Sequence, residues 1–423
     1  NYSLAEKPSR KPEELSLYFL TNLLALNHQA RWIKTDNKEA KSSESEQEWW
    51  LENSNGNDST KKDIHPLDVM AATLLCCHPI IRQDLVVKLW ECKLAIPLVI
   101  QESETHAPKF FLWAMRALVM RWKKTQGGQI RSQERTIADY PMETVSFIRF
   151  DRAEISKSAL LNAVMLGNNP HDIFFHKDSE GSNQNRQLAE GTIELAWHLP
   201  DGNSPQDNSN NQNDFELEDI TAFANLRGDV RKYPQQLELI KQISSHIVIF
   251  TSSKELEDST LQVVRELLEA GKAVILLLTN KNIQQEDKTI VRQWMVNFQN
   301  EREQITLISI VGKSQPEIRD EVRNKLRTLK PTSSSKISLA NLAKIMQQQE
   351  MEVDEDDICC KQGIDLAAEI LELVRQHPKE QRKAELLPLQ SKCWKEWAQA
   401  DKEVVRQKQK ASTQIGRASC RER

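Results

Sequence analysis

Apolar and polar positions alternate with two different periods along this chain, and the two periods interleave most clearly between residues 144 and 330. Short apolar runs occupy 145–150, 192–198, 217–226, 246–251, 273–279 and 305–311. Segments of helical period lie at 158–166, 234–244, 255–270, 286–299 and 316–328. Strands that take turns with helices predict an α/β domain with a mixed, mostly parallel sheet. Residues 192–198 and 217–226 have no helix between them, only an Asn-rich loop at 200–214. They are expected to pair antiparallel at an edge of the sheet, with the loop as an exposed insertion.

The flanks read as helical. Residues 1–33 carry one amphipathic helix over 12–33, with Leu15, Tyr18, Phe19, Leu23 and Leu24 at helical spacing, as part of a truncated helical region. Residues 34–64 are rich in Ser, Asn and Glu and read as a disordered linker, in which Trp49 and Trp50 have no clear role. The segment 65–135 reads as mostly helical: helices from Leu67 and after Pro79, a short strand at 96–100, and a helix over 110–122. A Gly-rich polar stretch closes it near residue 135. After a hinge at 331–336, the segment 336–410 predicts helices at 338–349, 358–376 and 380–410. The acidic run Asp354, Glu355, Asp356 and Asp357 suits the N-terminus of the second of these. Trp394 and Trp397 share one face of the third, which reads as a docking face. Residues 415–423 look like a translated sequencing adapter and are set aside.

Length and charge bound the function. A chain of 423 residues holds two or three units, and a net charge of −4 suggests neither nucleic acid nor a membrane surface as partner. No apolar run is long enough for a membrane span, and no signal peptide is visible. Seven cysteines without paired metal-ligand spacing fit reduced thiols in the cytosol. Cys76, Cys77 and His78 read as helix packing, because adjacent cysteines without a second cluster cannot close a tetrahedral site. The chain starts at Asn1 without a methionine and reads as a piece of something longer.

Candidate chemistry sits where strands of the central unit end, the place where open α/β sheets bind ligands. The first strand runs into Lys157-Ser158 at the start of a helix. That is the layout of a P-loop, whose lysine reaches phosphates and whose hydroxyl holds Mg²⁺. The two glycines of G-x-x-x-x-G-K-[ST] fall on Asp151 and Ser156. Asn225 to Gly228 stand where a GTPase has Asp-x-x-Gly, and Asn280-Lys281-Asn282 where it has its base-recognition turn. A further polar turn, Gly312-Lys313-Ser314, ends the last strand.

The stretches HPLDVMAATLLCCHPIIRQDLVVKLWECKLAIPLVI, SKSALLN, HDIFFHKDSEGS, AFANLRGD and AELLPLQSKCWKEWAQADKE resemble the very large interferon-inducible GTPases and the related up-regulator of cell proliferation. The resemblance runs from His65 to about Arg406. It implies a Ras-like P-loop GTPase domain, flanked by helical segments, inside a much larger cytoplasmic or nuclear protein. It implies GTP with Mg²⁺ as the ligand, slow hydrolysis at most, and protein partners or self-association. By position, Lys157, Ser158 and Ser156 would meet phosphate, Ser158 and Asn225 the metal, and Gly228 the γ-phosphate. Asn280, Lys281 and Asn282 would hold the base. The departures are Asp151 and Ser156 for glycines, Asn225 for aspartate, and Ile283 where the base-reading aspartate belongs. They leave ATP and a nucleotide-free interaction scaffold open as alternatives. His176, in the segment corresponding to a switch loop, reads as a packing or hydrogen-bonding residue.

Overall fold

The computed structural model describes residues 11–33, 63–103, 105–126, 129–150, 153–167, 171–200, 219–332, 336–387 and 392–419. Nearly all of the expected linker, with Trp49 and Trp50, Asp151 of the P-loop, all but the first residue of the Asn-rich loop, and residues 420–423 lie outside them.

In chain order the elements are α1 (Leu15–Leu24), α2 (Pro66–Cys76), α3 (Pro79–Glu91), β1 (Ile96–Ile100), β2 (Lys109–Phe110), α4 (Leu112–Met115), β3 (Val119–Gln126) and β4 (Gln129–Thr136). The central elements follow as β5 (Glu143–Arg149), α5 (Lys157–Leu166), β6 (Ile193–His198), β7 (Thr221–Leu226), α6 (Pro234–Ile243), β8 (His246–Thr251), α7 (Asp258–Glu269), β9 (Ala273–Leu278) and α8 (Gln285–Val296). Then come β10 (Ile305–Ser309), α9 (Gln315–Thr328), α10 (Leu339–Gln347) and β11 (Glu352–Val353). Residues up to Asp356 form one compact unit. The remainder forms a second, made of α11 (Ile358–Gln376), α12 (Arg382–Leu386) and α13 (Lys392–Ser419). Within it Trp394 and Trp397 stack on each other, ring centroids 5.0 Å apart.

Nine strands make one sheet in the order β10-β9-β8-β5-β7-β6-β1-β2-β11. From β10 to β7 all neighbours are parallel, while β6 runs antiparallel to β7 and to β1. The fold is thus α/β with a mixed, mostly parallel sheet. Its parallel strands read as continuous apolar runs because helices cover both faces. Alternate residues of β9 show this: Ile275 and Leu277 pack with α5 and α9, Val274 and Leu276 on the opposite side with α6, α7 and α8.

The structure departs from the sequence pattern in several places, among them the helix expected over 380–410, which is two helices, α12 and α13. The β6–β7 pair is not an edge, because β1 pairs with β6 on its other side. The helix expected over 110–122 is only the one-turn α4, after which β3 and β4 form a hairpin whose Trp122 packs edge-on to Tyr140. The helix expected over 12–33 stops at Leu24, since Leu26 takes φ +56 and the Asn27 side chain accepts from the Gln29 N–H. The acidic run does not cap α11 as a block. Asp354 is buried and accepts from the N–H groups of Trp113 (2.7 Å) and Ala114 (3.3 Å) at the start of α4, and burial pushes its pKa up to about 6. Among the described residues, no helix is long and apolar enough to cross a membrane.

Candidate functional site

The site forms where β5 hands over to α5. Ser156 caps that helix, its Oγ accepting from the Ala159 N–H at 3.3 Å. Leu160, Leu161 and Val164 then bury the helix against the sheet and α9. This docking carries Lys157 and Ser158 into the interior at 7 % and 8 % exposure.

Lys157 is held by backbone and amide oxygens. Its Nζ donates to the Phe147 carbonyl (3.1 Å), to Asn225 Oδ1 (2.5 Å) and to the Leu226 carbonyl. Asn225 Nδ2 donates to Ser158 Oγ and to Glu194 Oε2, each at 3.2 Å. Glu194 stands directly across the β6–β7 register from Asn225. Its Oε2 accepts from Arg227 Nε at 2.9 Å, and Arg227 NH2 donates to the Phe175 carbonyl at 3.0 Å. Its Oε1 is buried without a hydrogen-bond partner. Burial, with Arg149 and Arg227 close by, lowers the Lys157 pKa well below the usual lysine value.

A cavity of about 440 Å³ opens over the N-terminus of α5. Arg149, Lys157, Lys177, Arg186, Arg227 and Lys232 all line it, against the two carboxylates Glu190 and Asp229. Those carboxylates already have cationic partners: Glu190 pairs with Arg186 at 2.6 Å and Asp229 with Arg231 at 2.7 Å. Arg149 donates to the Gly228 carbonyl at 3.1 Å, and burial beside Arg186 lowers its pKa. Gly228 has φ +86, and a Cβ there would stand 2.3 Å from Glu190 Oε2 and 2.9 Å from the Tyr233 ring. Only glycine allows that wall to close so tightly.

A second cavity, also about 440 Å³, adjoins the first through Ile155, Ser156 and Lys177. Leu160, Ile310 and Ile318 give it an apolar side, and Lys281, Gly312 and Lys313 bring the ends of β9 and β10 to its rim.

The structure thus gathers Ser156, Lys157, Ser158, Gly228 and Lys281 around one groove, with Asn225 beneath it at 0 % exposure. Asn280 instead braces the neighbouring strand end, its Oδ1 accepting from the Ser253 N–H at 2.9 Å. Asn282 is exposed and, among the described residues, lines neither cavity. His176 lines the first cavity, with its Nε2 3.1 Å from Asp172 Oδ2 and its Nδ1 accepting from the Asp178 N–H.

Sequence reading missed the cations Arg149, Arg186 and Lys232 and the carboxylate Glu194. It also missed how the outer wall, residues 171–190, is fixed. Arg31 donates to the carbonyls of Asp172 (3.0 Å) and Ile173 (2.8 Å), and Asp68 accepts from the N–H groups of Gln187 (2.9 Å) and Ala189 (2.8 Å). His65 packs edge-on against Phe175 while its Nδ1 accepts from the Leu67 N–H.

Burial, with Arg186 and Arg227 nearby, pushes the His65 pKa down to about 3. The unfolded chain therefore binds the proton first, and stability is lost as pH falls below the unfolded value near 6.5. His65→Asn keeps a capping acceptor without titrating. Across one pH unit below 6, wild type should lose up to about 1.4 kcal/mol more unfolding free energy than His65→Asn. Denaturant titrations at pH 7, 6 and 5 measure that difference, and parallel losses would refute it.

Residues 64–371 match the family model described as the up-regulator of cell proliferation-like domain. The chain is 27% identical over 425 residues to human interferon-induced very large GTPase 1, covering 95% of this chain and 17% of that protein. It is 28% identical over 351 residues to the human up-regulator of cell proliferation, covering 80% and 35% respectively. The chain therefore spans about a sixth and about a third of the lengths of these relatives. Among solved structures, bacterial selenocysteine-specific elongation factor EF-Sec aligns with 45% of this chain and 28% of its own, at 14% identity and a TM-score of 0.27.

Proposed function

This chain belongs to the up-regulator of cell proliferation-like family, and from that premise we propose that its central unit binds a guanine nucleotide with Mg²⁺. One observation carries the reading: six cationic side chains line the cavity over the α5 N-terminus against two carboxylates, of which Glu190 pairs with Arg186 from that set and Asp229 with Arg231 from outside it. Like charges gathered in a partly buried cavity repel one another until an anion neutralises them. The free N–H groups and the dipole of a helix N-terminus add to the same preference. A triphosphate has the matching charge, and the adjoining apolar cavity has room for a base. The names of the relatives support the same reading.

For the metal, Ser158 fits and Asn225 does not. The Ser158 side chain reaches the cavity and would be the oxygen that holds Mg²⁺, which when bound neutralises charge on the phosphate oxygens. Asn225 Oδ1 is engaged by Lys157, and its amide N–H groups point at Ser158 and Glu194. We assign no side chain to orient a hydrolytic water, so binding is the proposed activity and turnover, where it occurs, is slow. A nucleotide-free scaffold is the second reading. What favours it is that Lys157 already satisfies its three donors within the protein.

Fluorescent GTP and ATP titrated into the chain with Mg²⁺ separate the two. The wild type is expected to bind GTP, and Arg149→Ala to bind it about tenfold more weakly through loss of one charge-assisted contact. Absence of binding by the wild type would leave the scaffold reading standing.

A further inference from the structure

A base-reading turn that selects guanine needs an acceptor for the N1–H and the exocyclic amine of that base. In this chain the turn lacks its carboxylate. Ile283 stands two residues after Lys281, and Asn282 lines neither cavity among the described residues. The second cavity nevertheless has two acidic side chains on its wall, Glu154 and Asp178. Glu154 comes from the turn before α5, and its Oε2 accepts from the backbone N–H of Lys281 at 2.9 Å. This bond reaches across 127 residues and fixes a carboxylate at the end of β9, beside the lysine whose stem would cover a base. A carboxylate has roughly four lone-pair sites, so the Lys281 bond leaves it able to accept from a ligand.

The rest of the cavity suits a flat ring. Leu160, Ile310 and Ile318 provide an apolar surface. Gly312, at φ +71, has nothing within 4 Å of where a Cβ would stand, so the rim is open on that side. The phosphate end is continuous with it through Ser156 and Lys177.

With the nucleotide-binding reading above as its basis, we propose that Glu154 reads the guanine edge in place of the aspartate that the β9 turn lacks. Guanine offers two donors to the carboxylate. Adenine has an acceptor at N1 and would set lone pair against lone pair, so the same group disfavours ATP.

Glu154→Gln tests this with little risk to the fold, because the side chain is exposed. A glutamine amide offers one donor and one acceptor, which complements xanthine (N1–H and a C2 carbonyl) rather than guanine. Fluorescent GTP, XTP and ATP are titrated with Mg²⁺ into wild type, Glu154→Gln and Asp178→Asn. The expected result in Glu154→Gln is a loss of about tenfold for GTP, a gain of about tenfold for XTP and a gain for ATP, since the amide N–H can donate to adenine N1, with Asp178→Asn like wild type. If the wild type binds no nucleotide, the nucleotide-binding reading fails and Glu154 has no base to read. If the wild type binds GTP but Glu154→Gln keeps the GTP-to-XTP ratio, or Asp178→Asn is the variant that shifts it, the assignment to Glu154 is overturned and nucleotide binding stands. Equal losses for all three nucleotides in Glu154→Gln overturn it as well.

Discussion

Glu194→Ala is expected to lower the unfolding free energy by about 3–5 kcal/mol, the cost of stranding one partner of a buried ion pair. Glu194 is 0 % exposed and Arg227, at 2.8 Å, only 4 %. Removing the carboxylate leaves the Arg227 guanidinium in the interior with the Phe175 carbonyl but without its paired anion. It also strips Asn225 Nδ2 of one acceptor. Arg31 is affected too. Burial pushes its pKa down to about 10, and Glu194 is the strongest influence opposing that shift. Two buried cations would lose the same anion. Glu194→Gln keeps the shape and one acceptor, so it should be less costly than alanine. Replacing Glu194 and Arg227 together by methionine should cost less than the sum of the single changes, because Arg227 is then not left behind without its partner. Denaturant unfolding of Glu194→Ala, Glu194→Gln, the two single methionine variants and the double methionine variant measures this. A loss under about 1 kcal/mol for Glu194→Ala, the range of exposed pairs, would refute the burial of the network.

The same residue shows why parts of the site were hidden from the sequence. In IELAWH nothing local marks the lone glutamate as a buried residue. It is buried because Arg227 and Asn225, distant in the chain, bond it there, with the charge of Arg31 acting on it as well. Strands and helices of the central unit were legible because each is specified locally: two-sided burial makes unbroken apolar runs, and Ser156 and Ser314 cap helices from the sequence itself. What depends on long-range pairing was not. The apolar run 110–122 matches a helix and a strand equally well, and only the hairpin with β4 decides for strand after Met115. Likewise β1 turns an expected edge into an interior strand by pairing from about a hundred residues upstream. Lys157 and Ser158 could be named because they open a capped helix. Arg149, Arg186 and Lys232 could not, since each comes from a different part of the chain and becomes a site residue only once the strand order is known.

Lys157→Met is expected to weaken binding of GTP with Mg²⁺ by about 10- to 150-fold, the loss of charge-assisted contacts to phosphate. Methionine keeps most of the aliphatic stem and removes only the ammonium, so packing under the cavity is preserved. Two effects then oppose each other in the free protein. The carbonyls of Phe147 and Leu226 and the Asn225 Oδ1 lose a donor, which destabilises. A buried cation beside Arg149 and Arg227 disappears, which stabilises. Nucleotide affinity should therefore drop far more than stability, whereas a lysine kept only for structure would show the reverse. The proton adds an independent sign. A lysine with a lowered folded pKa binds its proton less tightly than in the unfolded chain, and an arriving polyanion restores that affinity. Binding by the wild type should accordingly take up protons and weaken as pH rises through the depressed Lys157 value. Lys157→Met should lose that slope. Calorimetry in buffers of different ionisation enthalpy reads the uptake directly, and equal uptake in both proteins would show that the phosphates are neutralised elsewhere in the cavity.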